Sequence, residues 1–152
     1  TEYYHDKVSK QLPQLWGFQA AGAEPFVAGH PIEKPETIAT AIRIGKPASW
    51  DLAIAARDDS GGLIDSVTDE QILDAYRILA DKEGYFVEPS SAASVAGLLQ
   101  QAKRGLVDAG STIVCTVTGN GLKDTQWALE SAKDPVVVPV DVKAAATALG
   151  LA

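Results

Sequence analysis

The chain contains no methionine, one cysteine and two histidines in 152 residues. A lone cysteine, Cys115, excludes an internal disulfide and makes a reducing compartment, the cytoplasm, the simplest setting. His5 and His30 stand apart from each other and show no metal-ligand spacing, so both read as surface residues. No apolar run reaches the length of a bilayer span, and no secretory apolar core is visible. Positive charge is also scarce. Thirteen Lys and Arg stand against 20 Asp and Glu, a net charge of −7. That balance argues against nucleic acid or an anionic membrane as a partner. A small anionic ligand stays open, because backbone N–H groups at helix starts bind anions on acidic proteins too. The missing methionine, in a chain that opens Thr1-Glu-Tyr-Tyr-His, sets the expectation of a piece of a longer polypeptide.

What is present is enough for one domain with a real core. Apolar residues make up 46% of the chain, with three Trp. Helix and strand signals alternate along it. Thr1 to Lys10 reads as the end of a helix, and Leu15 to Gln19 as a short apolar strand that leads into the small-residue loop Ala20-Ala-Gly-Ala. Thr37 to Ile44 repeats Ile38, Ala41 and Ile42 at helical spacing, with Gly45 suited to end a helix. A further helix opens at Pro47-Ala-Ser-Trp and carries Leu52, Ala55 and Ala56. Leu63 to Val67 is a strand. Thr68 with Gln71 forms a capping-box pattern at the head of a helix that carries Ile72, Tyr76 and Leu79 on one face and ends at Gly84.

Tyr85-Phe-Val reads as a short buried stretch. Glu88-Pro-Ser-Ser then opens a helix to Arg104 that is apolar on most sides and is expected to be covered on more than one. Thr112 to Val117, rich in β-branched residues, is the strongest strand signal, and it would bury Cys115. Trp127 to Ala132 is a weak helix, Pro135 to Val140 is extended, and Val142 to Leu149 is a final small helix. The alternation predicts an α/β fold, a three-layer sandwich around a largely parallel sheet, in a single domain over 1–152 without repeats or linker.

In such sheets ligands collect at the carboxyl ends of strands. Thr118-Gly-Asn-Gly sits at one such end. Gly119 and Gly121 permit close approach, and Thr118 offers a hydroxyl that can donate or accept. A tight turn explains the same residues equally well. The segment is not a phosphate-cradling Walker loop, because Gly-Asn-Gly-Leu-Lys-Asp lacks the spacing and the hydroxyl after the lysine. Glu88-Pro-Ser-Ser-Ala-Ala-Ser could place a carboxylate against a ligand, or could simply be a helix start with Pro near the first position and a serine cap. Gln19-Ala-Ala-Gly-Ala follows a third strand, and its small residues also suit close helix–sheet packing. Lys103 and Lys123 have no neighbour pattern that marks either for chemistry.

Gly17-Phe-Gln-Ala-Ala-Gly-Ala, Glu36-Thr-Ile-Ala-Thr-Ala-Ile-Arg-Ile-Gly-Lys-Pro-Ala-Ser-Trp, Glu88-Pro-Ser-Ser-Ala-Ala-Ser and Thr116-Val-Thr-Gly-Asn-Gly-Leu-Lys-Asp together resemble the threonine synthase family. The order matches the carboxyl-terminal part of the shorter bacterial kind, over nearly the whole chain. Glu-Pro-x-x-Ala-Ala is shared more widely among pyridoxal-phosphate enzymes of the tryptophan-synthase-β type. The resemblance implies part of the large domain of a fold-type II enzyme. Its cofactor would be pyridoxal 5′-phosphate, acting as an electron sink. The implied reaction is that of a lyase, turning O-phospho-L-homoserine and water into L-threonine and phosphate, the last step of threonine biosynthesis.

By the same resemblance the Thr118 hydroxyl faces the pyridine nitrogen. It contributes a neutral hydrogen bond worth about 1 kcal/mol, where a carboxylate would hold the ring as a pyridinium. Gly119, Asn120 and Gly121 would let the backbone bend around the ring edge. Gln19, Ala20 and Ala21 would flank the ring near its 3-oxygen, and Glu88 matches an acidic position near the cofactor.

The resemblance also says what to expect elsewhere. The Schiff-base lysine, in a Ser-x-Lys-Asp-type segment, and the Gly-Asn-x-Gly-Asn phosphate cradle have no counterpart in this sequence. The expectation is therefore a fragment with no catalytic residue of its own, inactive alone, whose partner is the amino-terminal half of the same enzyme. Strand edges left without neighbours would favour self-association. Two alternatives remain: a fragment of a serine or threonine dehydratase, against which the Ile-Gly-Lys-Pro-Ala-Ser-Trp segment argues, and a non-catalytic α/β binding module.

Overall fold

The structure, a computed structural model, describes residues 2–132 and 134–151. Its centre is a pair of parallel strands, β1 (Trp16–Ala20) and β2 (Leu63–Val67), in register from Trp16 opposite Leu63 to Ala20 opposite Val67. Alternate side chains of a strand face opposite ways. Phe18 turns to one face, where its ring fills the space that a Cβ at Gly97 would occupy. Gln19 turns to the other, where its Oε1 accepts the Phe26 N–H at 2.9 Å. The first face carries α4 (Asp69–Glu83) and α5 (Pro89–Lys103). The second carries α2 (Pro25–Ala28) and α3 (Trp50–Asp59), joined by the Phe26 and Trp50 rings 4.6 Å apart. The expected α/β layering around a parallel sheet is present, with two strands among the described residues.

The connection from β1 to β2 runs through the short helix α2, a 3₁₀ turn at Thr40–Ile42 and α3. The helix expected over 37–44 does not form, and Gly45 has no positive φ. Two of its amides are taken from outside the segment and one by its own first residue. Asp69 Oδ2 accepts the Ile38 N–H at 3.2 Å, Thr37 Oγ1 accepts Ala39 N–H at 3.1 Å, and Ser90 Oγ accepts Ala41 N–H at 3.0 Å. These tertiary partners hold the segment against α4 and α5 and override its helical periodicity.

Helix α4 starts as its sequence demands. The Thr68 hydroxyl accepts the Gln71 N–H and the Gln71 side chain accepts the Thr68 N–H, and Gly84 ends the helix at φ 72. Ile72, Ala75, Tyr76 and Leu79 face inward, while Ala80 is exposed. They join Ala20, Ala39, Val67, Val87, Ala92, Ala93 and Ala96 in one core. Helix α5 lies against α4, β1 and β2 at once, as its apolar girth implies. Small residues permit this. Gly97 sits under the Phe18 ring, and a methyl there would meet ring carbons at 2.1 Å.

Three other expectations are corrected. The opening helix is one turn, α1 (Glu2–His5), broken where Lys7 turns to φ 58; Thr1 lies outside the described residues. Of Tyr85-Phe-Val only Val87 is buried, since Tyr85 and Phe86 keep much of their surface in solvent. The strand expected at Thr112 to Val117 does not form a ladder with any described residue, with Val114 85% exposed and Cys115 only half-buried. β-branched residues favour the extended backbone, but a strand also needs a neighbouring row of N–H and C=O groups. None is offered among the described residues. Pro135 to Val140, expected only as extended, is also unpaired among the described residues, with Val136, Val137 and Val140 exposed. Beyond them, α6 (Gln126–Ser131) and α7 (Val142–Ala148) form where expected, α7 capped by Asp141 Oδ1 on the Ala144 N–H.

A polar clasp closes the far end of α5 on β2. Asp65 accepts from the Ser66 N–H and from Gln101 Nε2, each at 2.8 Å, and pairs with Arg104. Burial pushes the Asp65 carboxyl up, but Ser66, Gln101 and Arg104 together pull it below its ordinary value. A carboxylate with a lowered folded-state pKa stabilises the fold above the unfolded pKa, and that contribution fades as pH falls through the folded value. Asp65→Asn should therefore lower the urea midpoint at neutral pH, by on the order of 1 kcal/mol. The difference from the parent chain should shrink as pH drops below about 4, the ordinary range of an aspartate. A difference that is constant with pH would refute the clasp.

Candidate cofactor site

The loop from Thr118 to Asp124 is held on three sides. Glu88 N–H donates to the Gly119 carbonyl and Gly121 N–H to the Phe86 carbonyl, each at 3.0 Å, closing an antiparallel bridge of Val87 with Asn120. Asn120 Oδ1 accepts the Leu122 N–H at 3.0 Å and starts a 3₁₀ turn over Gly121–Lys123. Thr40 Oγ1 donates to Asp124 Oδ2 at 3.4 Å. Tyr76, beneath the loop, has its phenol raised by burial and then by the charge of Asp124. Neither Gly119 nor Gly121 takes a positive φ. Their need is space: a Cβ at Gly119 would lie 2.1 Å from Glu88 Oε1, and one at Gly121 2.5 Å from the Phe86 ring. The Phe86 ring in turn meets Tyr76 edge-on at 6.4 Å. The glycines let the loop lie flat on the segment that leads into α5.

Helix α5 supplies the other half of the site. Pro89 occupies its first turn and Glu88 is its N-cap, with no side-chain capping bond. The serine cap that the sequence allows is absent, because the serines are engaged elsewhere. Ser90 reaches the Ala41 N–H, and Ser94 Oγ donates toward the Thr116 carbonyl at 3.3 Å. Ser91, 3% exposed, accepts the Gly119 N–H at 2.7 Å and lies 3.4 Å from the Thr118 hydroxyl. Thr118 itself is exposed. A buried carboxylate, a buried hydroxyl and an exposed hydroxyl therefore converge where the loop crosses the head of α5. Sequence reasoning missed Ser91. The signal was the doubled serine after Glu88-Pro, which is also ordinary capping chemistry.

The remaining expected residues sit at the end of β1. Ala20 is fully buried within the core, Ala21 N–H donates to the Val67 carbonyl at 2.8 Å, and the Gln19 side chain is occupied by Phe26. Helix α5 serves both groups: it packs on β1, its Ala92 and Ala93 share one core with Ala20, and its Ser91 holds Gly119. Gln19 and Ala20 thus have structural duties that leave only backbone, and the half-buried Ala21, to face a ligand. A shallow surface depression of about 480 Å³ lies against Tyr4, His5, Lys7, Ser9 and Lys10, away from every expected site residue in sequence. No group of three or more His, Cys, Asp or Glu is placed to hold a metal ion among the described residues.

The protein-family profile described as pyridoxal-phosphate dependent enzyme matches residues 2–119. The chain belongs to the pyridoxal-phosphate-dependent enzyme family. It is 54% identical over 151 residues to the threonine synthase of Mycobacterium leprae (strain TN), covering 99% of this chain and 42% of that protein. It is 54% identical over 142 residues to the threonine synthase of Halalkalibacterium halodurans, covering 93% and 40%. The threonine synthase of Methanocaldococcus jannaschii is 44% identical over 140 residues, covering 87% and 35%. The chain thus spans less than half the length of the curated relatives it matches.

Among solved structures it is similar to a fungal L-serine ammonia-lyase from Rhizomucor miehei, with TM-score 0.57 at 23% identity over 77% of this chain and 39% of that one. It is also similar to a T.th. threonine deaminase, with TM-score 0.52 at 24% identity over 67% and 35%. At those identities the likeness is one of fold.

The contact between Gly119 and Glu88 gives a test by double substitution. Gly119→Ala should destabilise by about 1–3 kcal/mol, because its methyl overpacks the Glu88 side chain. Glu88→Ala removes the colliding atoms. In the double variant the two losses should fall short of their sum by at least about 0.5 kcal/mol, as expected for residues in direct contact. Thermal unfolding of the four proteins measures the coupling, and strict additivity would place the two residues apart.

Proposed function

We propose that this chain forms the ring-facing part of the cofactor site of a threonine synthase, an enzyme longer than residues 1–152, working in the cytoplasm. The whole enzyme would convert O-phospho-L-homoserine and water to L-threonine and phosphate. The observation that carries the reading is the Thr118 hydroxyl. It is exposed on a loop whose glycines lie flat on the head of α5, with a buried hydroxyl behind it and a buried carboxylate beside it. Identity of 54% to threonine synthases along nearly the whole chain supports the same reading.

The residues present fit a neutral aromatic nitrogen. Thr118 can donate to it, and the Glu88 carboxylate lies against Gly119. Gly119 and Gly121 let the loop lie close on Glu88 and Phe86, so that its backbone can follow a planar ring edge, and Asn120 keeps the loop closed through its bond to Leu122. Backbone at Gln19 and Ala20, with Ala21, would flank the opposite edge. When bound, pyridoxal phosphate supplies the electron sink that the chemistry needs. A hydroxyl partner at Thr118, weaker than a carboxylate, would leave that sink moderate.

In this reading the lysine and the phosphate cradle come from the rest of the enzyme. Residues 112–117 and 135–140 would gain strand partners there, which accounts for their exposed valines. Without that half the isolated chain should self-associate. Light scattering of residues 1–152 should report a mass above one chain that rises with concentration, and a monodisperse monomer would count against it.

The deciding experiment is an assay of phosphate release. The whole enzyme should release phosphate from O-phospho-L-homoserine and form L-threonine, and Thr118→Val should lower kcat by about 2- to 10-fold, the worth of one neutral hydrogen bond. Residues 1–152 alone should release none. A whole protein that instead releases ammonia from L-serine or L-threonine, and no phosphate, would make it a dehydratase.

A further inference from the structure

We propose that Ser91 is a positioning residue that sets the direction of a hydrogen-bond chain, so that Thr118 offers its ligand a proton and not a lone pair. The inference rests on the reading of Thr118 as the partner of the cofactor's ring nitrogen. It adds a residue that touches neither cofactor nor substrate.

The direction begins at the backbone. The Gly119 N–H, a buried contact, donates to Ser91 Oγ at 2.7 Å, and an amide N–H can only donate. Ser91 Oγ is therefore an acceptor on that side, and its own proton must go elsewhere. Ser91 is 3% exposed, so water is a poor outlet. The side-chain oxygen within reach is Thr118 Oγ1, at 3.4 Å. By geometry alone either hydroxyl could donate across that gap. If Thr118 donated, Ser91 would accept twice and leave a buried proton without a partner, which is the costly arrangement. So Ser91 donates and Thr118 accepts.

The Thr118 proton is then turned outward, on the side where the residue is exposed. The chain runs in one sense, from Gly119 N–H to Ser91 to Thr118 to ligand, and each bond polarises the next. The end of such a chain favours an acceptor. It suits an unprotonated ring nitrogen and disfavours a pyridinium, which would need Thr118 to receive a proton. Ser91 thus acts on the protonation of the ring through Thr118, while its own contacts are to this chain alone.

The test uses the whole protein loaded with pyridoxal phosphate carrying ¹⁵N in the ring, because the nitrogen's chemical shift moves upfield on protonation. In the unsubstituted protein the resonance should stay at the unprotonated position at neutral pH. In Ser91→Ala, Thr118 is free to rotate and accept, so the upfield move should begin at a higher pH. Ser91→Thr, which restores the hydroxyl, should return the titration toward that of the parent. Ser91→Cys, a poorer acceptor of similar shape, is measured beside it and should shift in the same sense as Ser91→Ala, which keeps the test available where the alanine variant does not fold. A titration unchanged in Ser91→Ala and Ser91→Cys overturns the role of Ser91 and leaves the cofactor reading standing. A resonance already protonated at neutral pH in the unsubstituted protein overturns the stated direction. A whole protein that takes up no labelled cofactor overturns both.

Discussion

Everything in this molecule depends on how closely α5 can approach its neighbours. It packs on both strands and on α4, and it reaches the loop that carries Thr118. Only small residues allow that. Ala92, Ala93 and Ala96 enter the core, and Gly97 gives its space to the Phe18 ring. A leucine at any of these places would push the helix outward by the thickness of a methyl group or more, and close-packed interiors do not absorb such changes freely. Since Ser91 lies on the same helix, directly before Ala92 and Ala93, its distance to Gly119 is set by the packing of the alanines. Core and site share one support.

That arrangement explains the division of labour among the polar residues at the head of α5. A helix start normally uses a serine to satisfy its own free N–H groups. Here Glu88 takes the cap position without a side-chain bond, and Ser90 and Ser91 turn away to hold two different loops. The helix gives up local capping, worth about 1 kcal/mol in ordinary cases. In exchange two segments distant in sequence, around Ala41 and around Gly119, are fixed to one rigid element. A loop with glycines would otherwise sample many conformations, and a hydroxyl on it would have no defined direction.

The sequence was legible where local chemistry decides alone. The capping box of Thr68 with Gln71, the stop at Gly84, both strands of the sheet and the extent of α5 all follow from residues within a few positions of one another. It was misread where distant groups decide. Ile38, Ala41 and Ile42 have helical spacing, but Asp69 and Ser90, from two other helices, take the amides that a helix would use. The turn signal at Thr118 and the two glycines was readable, and their tight fit against Glu88 and Phe86 was not, because it involves residues far away along the chain. The same limit hid Ser91, whose partner lies 28 residues on.

Residues 112–117 are a different case. Their composition is that of a strand: they are rich in β-branched residues, and Thr116 is anchored by Ser94. What they lack, among the described residues, is a neighbour with a free row of backbone groups. A strand is a property of a pair, so a sequence can specify the backbone shape of one member and leave its hydrogen bonds to polypeptide elsewhere. The loop with Thr118 follows directly from this segment. Its position now hangs on Ser91, the bridge to Val87 and the contact of Asp124 with Thr40. Partners for the strand would clamp the loop through its amino-terminal end as well. The hydroxyl direction set at Ser91 would then be held by two independent supports, as a site that distinguishes a lone pair from a proton requires.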